Sequence, residues 1–251
     1  MLTLVKILAG LVIFDSQDIS DSFKTFNKGF QKLAANGHPA MTVQQIIMNT
    51  PHGRAFAAGF VWSSDDHDAG RTCLAEIEAL GKVLMNTVAP MTVSAYLDSL
   101  AAFLPSRVYG TVKAINVGSI TDEVAGIIGR NAEKMPPHFG ANFSIHGLNG
   151  PSATPKANSV FGSRKPHFLL ECISQVPEEK YLKDCEEWIT TLHKELCESD
   201  PDNILPGTYI SLTSPESIDL RKIYGTNYEA MMEIKREYDP QNVFNLAIPK
   251  V

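Results

Sequence analysis

The apolar and polar positions of the chain follow two periods, one typical of strands and one typical of helices. Met1 to Phe14 is almost wholly apolar and predicts a mostly buried strand. From Asp18 onward, apolar residues recur every three or four positions, which predicts an amphipathic helix that ends at Asn36-Gly37. The apolar stretches Met41 to Met48 and Ala55 to Trp62 flank a turn-forming segment, so we expect an antiparallel hairpin.

The same two periods continue through the rest of the chain. Further helices are predicted at Ser63 to Gly81, Ser94 to Phe103, Thr121 to Met135, Glu178 to Glu198 and from Tyr224 onward. Extended segments are predicted at Val83 to Val88, Phe139 to His146, Phe168 to Ile173 and, as a short strand, at Tyr209. Arg107 to Val112 is predicted as an extended or loop segment. No repeat or linker divides the chain. We therefore expect one α+β domain over residues 1–251, with an antiparallel sheet covered mainly on one face by α-helices.

Composition and charge limit the partners. The chain has 251 residues, of which 44% are hydrophobic, enough to bury a sizeable core. A net charge of -6 at pH 7 argues against nucleic acid or an anionic membrane as a partner. The apolar N-terminus lacks a small-residue cleavage site, and no other apolar run approaches the length of a membrane span. We therefore expect a cytoplasmic protein that binds a small molecule.

Common metal and nucleophile motifs are missing from the sequence. The four cysteines, Cys73, Cys172, Cys185 and Cys197, form no CxxC pair and have no histidine at metal-ligand spacing. We expect reduced thiols and no metal site. GxSxG, HExxH, P-loop and dinucleotide patterns are also absent, so hydrolase, metalloprotease and nucleotide-dependent functions have no support in the sequence.

A family resemblance rests on the C-terminal sequence. Its residues are Tyr224-Gly225-Thr226-Asn227-Tyr228, then Lys235, then Tyr238-Asp239-Pro240, and finally Asn242-Val243-Phe244. This pattern resembles the C-terminal signature of the berberine-bridge-enzyme-like flavin oxidases. Two weaker matches lie upstream. Ser144-Ile145-His146-Gly147 resembles a family strand that ends in a His-Gly step, and Ser159 to Arg164 is similar to the family's aromatic-x-His-Arg strand entrance.

The resemblance implies an architecture and raises a question about the cofactor. Nearly the whole chain resembles the substrate domain of the family, with residues 208–251 as its C-terminal segment. The family's FAD-binding domain, which carries the pyrophosphate loops and the residues that tether the flavin, has no counterpart in this sequence. We therefore expect no cofactor on this chain. Hydride removal is the cofactor's chemistry, so the resemblance alone does not indicate an oxidase.

Two positions depart from the family pattern. The family often places Asn and Tyr after the first Tyr of a strand near the flavin, whereas Tyr209-Ile210 is followed here by Ser211-Leu212. The acidic residue that often precedes the His-Gly step is Ser144 in this chain. Both changes replace polar contributors to flavin chemistry with smaller or apolar side chains.

Glu171 and His146 are the first two candidate catalytic residues. Glu171 lies in an otherwise apolar strand, where a carboxylate is costly to bury unless it is paired or used, so it is a candidate general acid or base. The alternative places it at a strand edge in water. His146 precedes a glycine-rich loop and could transfer a proton at neutral pH, or it could bond the loop backbone.

Arg164 and Tyr209 complete the catalytic candidates. Arg164 could hold an anionic or carbonyl oxygen with its planar fork, or form a structural ion pair. Tyr209 could bond a substrate oxygen, or be a core tyrosine. The candidate substrate-binding residues are Ser144, His167, Phe161 and Ser211.

Two classes of function follow from this reading. The first is a flavin-independent, redox-neutral enzyme of specialised metabolism that catalyses cyclisation, Diels–Alder or hetero-Diels–Alder cycloaddition, or isomerisation. An apolar pocket would serve such reactions by orienting the substrate. The second is a non-catalytic ligand-binding protein or the substrate subunit of a split flavin oxidase. A face left without its flavin domain would be either resurfaced or buried in a dimer, and we expect a homodimer.

Overall fold

A computed structural model describes residues 6–102, 107–150, 153–154, 156, 159, 164–213 and 217–245. The strands of this described part are β1 (Lys6–Phe14), β2 (Met41–Thr50), β3 (Gly53–Trp62), β4 (Val83–Asn86), β5 (Ala89–Thr92), β6 (Val112–Val117), β7 (Ala141–Leu148) and β8 (His167–Ser174). Its α-helices are α1 (Ile19–Ala35), α2 (His67–Glu78), α3 (Val93–Ala101), α4 (Asp122–Glu133), α5 (Leu182–Cys197), α6 (Leu220–Tyr224) and α7 (Tyr228–Tyr238).

All the strands belong to one antiparallel sheet. Its order is β4-β1-β3-β2-β7-β8-β6, and β5 pairs with β1 beside β4. Helices α1 and α4 pack on each other, and α5 packs on α4, β6 and β8. The predicted fold class, an α+β domain built on an antiparallel sheet, is confirmed.

The hydrophobic core lies between the helices and one face of the sheet. On β3, every second side chain points to this face, and Phe56, Phe60 and Trp62 are fully buried there. Phe23 and Phe26 of α1 meet Phe56, with ring centroids 5.6 and 5.0 Å apart. Aromatic packing of this kind fixes α1 against the middle of the sheet.

Local signals explain why the helices begin where they do. Asp18 caps α1 by accepting a hydrogen bond from the backbone nitrogen of Asp21 at 2.8 Å. Thr121 caps α4 in the same way, with the backbone nitrogen of Val124 at 3.2 Å. These caps agree with the predicted helix starts.

The opposite side of the sheet, which we call the open face, carries two adjacent polar residues, Ser144 and Glu171, between apolar ones. Cross-strand register aligns Ile46 of β2, Ser144 of β7, Glu171 of β8 and Ala114 of β6. Since side chains alternate along a strand, these four residues share the face opposite the buried Phe143 and its neighbours. The sheet therefore separates a helix-covered core from a face that holds Glu171 and Ser144.

Residues of the C-terminal motif contact one another around the end of α7. Met231 and Met232 of α7 are buried, whereas Tyr238 is exposed. Asp239 pairs with Lys235 and accepts hydrogen bonds from the backbone nitrogens of Val243 and Phe244. The Lys and Asp of the motif therefore hold the turn that follows α7.

Several elements differ from the sequence prediction. The pattern predicts neither β5 nor α6, and the segment that begins at Arg107 leads into strand β6 at Val112, where Ile115 and Val117 pack into the core. The predicted short strand at Tyr209 is wrong, since Tyr209 precedes a 3₁₀ turn at Ile210–Leu212. That segment reaches β6 through side-chain contacts instead of a strand ladder.

Removing the central ring of the core tests this packing. We expect Phe56→Ala to lower the free energy of unfolding by about 3–5 kcal/mol, because a fully buried aromatic side chain leaves a cavity. Urea denaturation followed by circular dichroism measures the loss. Leu84→Ala is the control, since Leu84 is 62% exposed and should change stability by about 0.5 kcal/mol or less. Equal losses in the two variants would contradict the assigned core.

Candidate active site

Three candidate residues meet at a single carboxylate oxygen. Ser144 Oγ donates a hydrogen bond to Glu171 Oε2 at 2.5 Å, and His146 Nε2 lies 3.0 Å from the same oxygen. Ser144 and His146 are two residues apart on β7 and so project from the same face, and Ser144 lies directly opposite Glu171. Because an ionised carboxylate only accepts hydrogen bonds, Nε2 of His146 is the donor.

A fourth residue, Gln44, completes the group. Gln44 lies opposite His146 in the β2–β7 register, and its side-chain amide is 3.3 Å from His146 Nε2. Since Nε2 carries the hydrogen, a Gln44 amide turned to present its oxygen would suit this contact. Sequence reasoning missed Gln44 because only the pairing of two distant strands brings it to His146.

The surroundings keep Glu171 ionised. The Glu171 side chain is 13% exposed, and the His146 side chain is 32% exposed. Burial raises the pKa of Glu171, but the hydrogen bonds from His146 and Ser144 outweigh it and hold the pKa below its usual value. Glu171 is therefore a carboxylate at neutral pH.

The two oxygens of Glu171 differ in their contacts. Oε2 accepts from Ser144 and His146, whereas Oε1 has no hydrogen-bond partner within the described part of the chain. Oε1 is thus the oxygen free to take a proton. The arrangement is not a nucleophilic triad, because the serine and the carboxylate meet the same histidine nitrogen instead of opposite ones.

Arg164 and His167 lie at the start of β8 with other partners. Arg164 Nη2 donates to Ser159 Oγ at 3.0 Å, and Asn227 Nδ2 lies 3.5 Å from the Ser159 carbonyl oxygen. His167 is 2% exposed, and its Nδ1 is 2.6 Å from the carbonyl oxygen of Lys165. The hydrogen bonds of Glu171 within the described residues include neither Arg164 nor His167.

Tyr209 and Ser211 lie on the segment that borders β6. Thr208 Oγ1 donates to the carbonyl oxygen of Ala114 at 3.4 Å, and Ala114 is directly opposite Glu171. This segment therefore runs beside the Glu171 row, and both Tyr209 and Ser211 are exposed on it. Phe161 lies outside the described residues.

The described ranges contain neither a metal-binding cluster nor a helix of membrane-spanning character. No group of three or more His, Cys, Asp or Glu residues in them is arranged to hold a metal ion. None of their helices is both long enough and apolar enough to cross a membrane.

Known proteins are similar to this chain in its C-terminal segment and in its fold. The family described as berberine and berberine like matches residues 217–248. The FAD-linked oxidoreductase aurO of Gibberella zeae is 24% identical over 241 residues, which cover 95% of this chain and 46% of that protein. The chain therefore spans about half the length of this curated relative.

Solved structures share the fold at low identity. GilR, an oxidoreductase of gilvocarcin biosynthesis whose structure contains pregilvocarcin, superposes with a TM-score of 0.74 at 14% identity. Aclacinomycin oxidoreductase superposes with a TM-score of 0.73, also at 14% identity. Each match covers 96% of this chain and 55% of the other protein. Identities this low show the fold alone.

These comparisons confirm the predicted resemblance. The C-terminal segment resembles the berberine and berberine like family, and the chain has the fold of solved oxidoreductase structures.

The polar side chains of the open face do not resemble a binding site for the pyrophosphate of a flavin. Glu171, His146, Ser144 and Gln44 provide a carboxylate, an imidazole, a hydroxyl and an amide. A pyrophosphate is held by clustered backbone N–H groups and cations, which this set does not provide. The four residues suit proton transfer on a substrate and do not fit the phosphate part of a flavin.

Removing the Ser144 hydroxyl tests how the Glu171 carboxylate is held. We expect Ser144→Ala to raise the pKa of Glu171, because one of the hydrogen bonds that oppose the effect of burial is lost. Carbon-13 NMR of the labelled glutamate carboxyl groups measures the titration midpoint. Ser99→Ala, at an exposed serine on α3, is the matched control and should leave that midpoint unchanged. An unchanged midpoint in Ser144→Ala would show that Ser144 does not hold the carboxylate.

Proposed function

We propose that the open face binds a small organic substrate and that Glu171 is the general base that takes a proton from it. The main support for this proposal is that both hydrogen bonds to the Glu171 carboxylate are accepted by Oε2. Ser144 and His146 fix Oε2, so the carboxylate is held in one orientation with Oε1 available. A base held this way loses little conformational freedom when the substrate binds.

The proton transfer can be followed atom by atom. A C–H or O–H proton of the substrate moves to Oε1 of Glu171, and the electron pair of the broken bond stays on the substrate as an enolate or phenolate. The carboxyl group is then neutral and can return the proton at another atom, which gives an isomerisation. Attack of the same anion on the β-carbon of a conjugated carbonyl group closes a ring while the C=C π bond breaks, its electron pair forms a new enolate, and the neutral Glu171 carboxyl returns the proton to that enolate. Neither route changes the oxidation level.

The lowered pKa of Glu171 limits the substrates. A carboxylate with a low pKa is a weak base, so it suits substrates whose proton is already acidic. A phenol, or a C–H beside a carbonyl group, meets this condition. His146 is more exposed than Glu171, but its Nε2–H is donated to Glu171 Oε2, so it could donate to a substrate oxygen only from Nδ1 in the doubly protonated form.

The first reaction class is redox-neutral cyclisation or isomerisation, including Diels–Alder and hetero-Diels–Alder closure. It is supported by a site whose groups are suited to proton transfer and lie beside apolar side chains. A second candidate is the substrate half of a flavin-linked oxidoreductase, which the likeness to aurO and the half-length match favour. The two classes share the proton abstraction by Glu171 and differ in whether hydride also leaves the substrate.

The visible spectrum of the purified protein separates the two classes. A flavin spectrum that bleaches when substrate is added would support the oxidoreductase. Conversion to an isomer of equal mass without flavin would support the redox-neutral reaction. Gel filtration tests the homodimer, which stays a prediction.

Glu171→Gln tests the proposed base directly. We use 5-nitrobenzisoxazole, a planar probe whose C–H proton is taken by a base while its N–O bond breaks to give a coloured phenolate. We expect Glu171→Gln to lower kcat/KM about a hundredfold or more, because the amide cannot accept the proton. Glu229→Gln, which alters a surface carboxylate paired with Arg221, is the control and should keep the rate.

The pH profile gives a second readout of the same reaction. Since the reactive form is the carboxylate and its pKa is lowered, the wild-type rate should be flat from about pH 5 to pH 8. It should fall only as Glu171 becomes protonated below its usual range. A Glu171→Gln variant that keeps the full rate would overturn the proposal and favour a non-catalytic ligand-binding protein.

A further inference from the structure

Two Asn-Gly steps occur in the sequence, at Asn36-Gly37 and at Asn149-Gly150. Such a step can lose ammonia without an enzyme, because glycine has no side chain to hinder attack of its backbone nitrogen on the preceding asparagine side chain. Asn36 and Asn149 are both exposed. Exposure therefore does not distinguish the two steps, and the hydrogen bonds around each step decide which one can react.

The Asn36-Gly37 step is tied to the end of α1. The Gly37 N–H donates to the carbonyl oxygen of Ala34 at 3.3 Å, and the Asn36 N–H donates to that of Leu33 at 3.2 Å. The side-chain Nδ2 of Asn36 donates to the carbonyl oxygen of Lys32 at 3.4 Å. The nitrogen that would attack and the amide that would be attacked are thus both held by the last turn of the helix. This turn must open before the step can react.

The Asn149-Gly150 step lacks such hydrogen bonds. It follows Leu148, the last residue of β7, and belongs to no helix or strand. Within the described part of the chain, neither the side-chain amide of Asn149 nor the Gly150 N–H has a hydrogen-bond partner. The Gly150 carbonyl oxygen accepts from the Ala153 nitrogen at 2.9 Å, a bond that does not involve the Gly150 nitrogen. The two reacting groups can therefore meet without prior opening of a helix or strand.

We propose that Asn149 is a site of spontaneous deamidation in the folded chain and that the end of α1 protects Asn36. The Gly150 nitrogen attacks Cγ of Asn149, the bond from Cγ to Nδ2 breaks, and the proton of the Gly150 N–H ends on the leaving nitrogen, which departs as ammonia. Water then adds to either carbonyl carbon of the resulting succinimide ring and breaks its bond to nitrogen. The product is aspartate or isoaspartate, and nothing is oxidised or reduced.

The reaction changes the charge just beyond the strand that carries Ser144 and His146. Each event converts a neutral amide into a carboxylate, so the chain becomes one unit more negative than the -6 of its sequence. Opening of the ring to isoaspartate also adds a carbon atom to the backbone directly after Leu148. The chain would therefore accumulate more acidic forms as it ages.

Peptide mapping by mass spectrometry follows both steps in one sample. The folded chain is incubated at mildly alkaline pH, and the fraction of each asparagine whose amide has become a carboxylate is measured over time. We expect Asn149 to react at least about tenfold faster than Asn36, because the end of α1 must open first. In guanidinium chloride the difference should vanish, since the unfolded helix no longer protects Asn36.

Gly150→Ala tests whether the Gly150 nitrogen is the attacking group. A Cβ at Gly150 would meet open space, so the variant should keep the fold, which circular dichroism checks. We expect the variant to slow the reaction of Asn149 about tenfold, because the added methyl group hinders the attack. Gly37→Ala is the matched control at the other step and should leave the Asn149 rate unchanged.

Any of three results would overturn the proposal. The first is an Asn149 that keeps its amide in the folded chain, and the second is an Asn36 that reacts there as fast as Asn149. The third is a Gly150→Ala variant that deamidates at the rate of the unaltered chain. The first two come from the unaltered chain and do not depend on the folding of any variant.

Discussion

The pairing register of β7 and β8 is the constraint on which the candidate site depends. It places Ser144 directly opposite Glu171 and His146 two residues further along the same face. A slip of one residue would turn every side chain of a strand to the other face. Packing prevents that slip, because Phe143 and Leu170 are buried against the helices from the same two strands. The core thus fixes the geometry of the polar group on the other face.

Holding a carboxylate within a sheet has an energetic cost that local hydrogen bonds offset. Burial alone would favour the neutral form of Glu171, which could not act as a base. Ser144 and His146 reverse this preference by donating to the same oxygen, and they leave the other oxygen to the substrate. The same two contacts therefore set both the ionisation and the orientation of Glu171.

Much of the fold was predictable because its signals are local. The caps at Asp18 and Thr121 and the β2–β3 hairpin each follow from a few adjacent residues. The short strand predicted at Tyr209 failed because Thr208 and its neighbours bond β6 through contacts distant in sequence. Local alternation gives no information about such contacts.

The candidate site shows the same division between local and distant information. Glu171 stood out as a charged residue in an apolar strand, and His146 and Ser144 came from the family resemblance. Their convergence on one oxygen depends on pairing across 25 or more residues, which the sequence pattern does not encode locally. Gln44 lies 102 residues from His146, so it could be found only once the sheet was assembled.

Neutron diffraction from deuterium-exchanged crystals at neutral pH tests the central claim most directly, because it locates the exchangeable hydrogens. The account predicts one deuteron on Ser144 Oγ and one on His146 Nε2, both directed at Oε2 of Glu171, with no deuteron on either carboxylate oxygen. A deuteron bound to Glu171, or an Nε2 without one, would contradict the account.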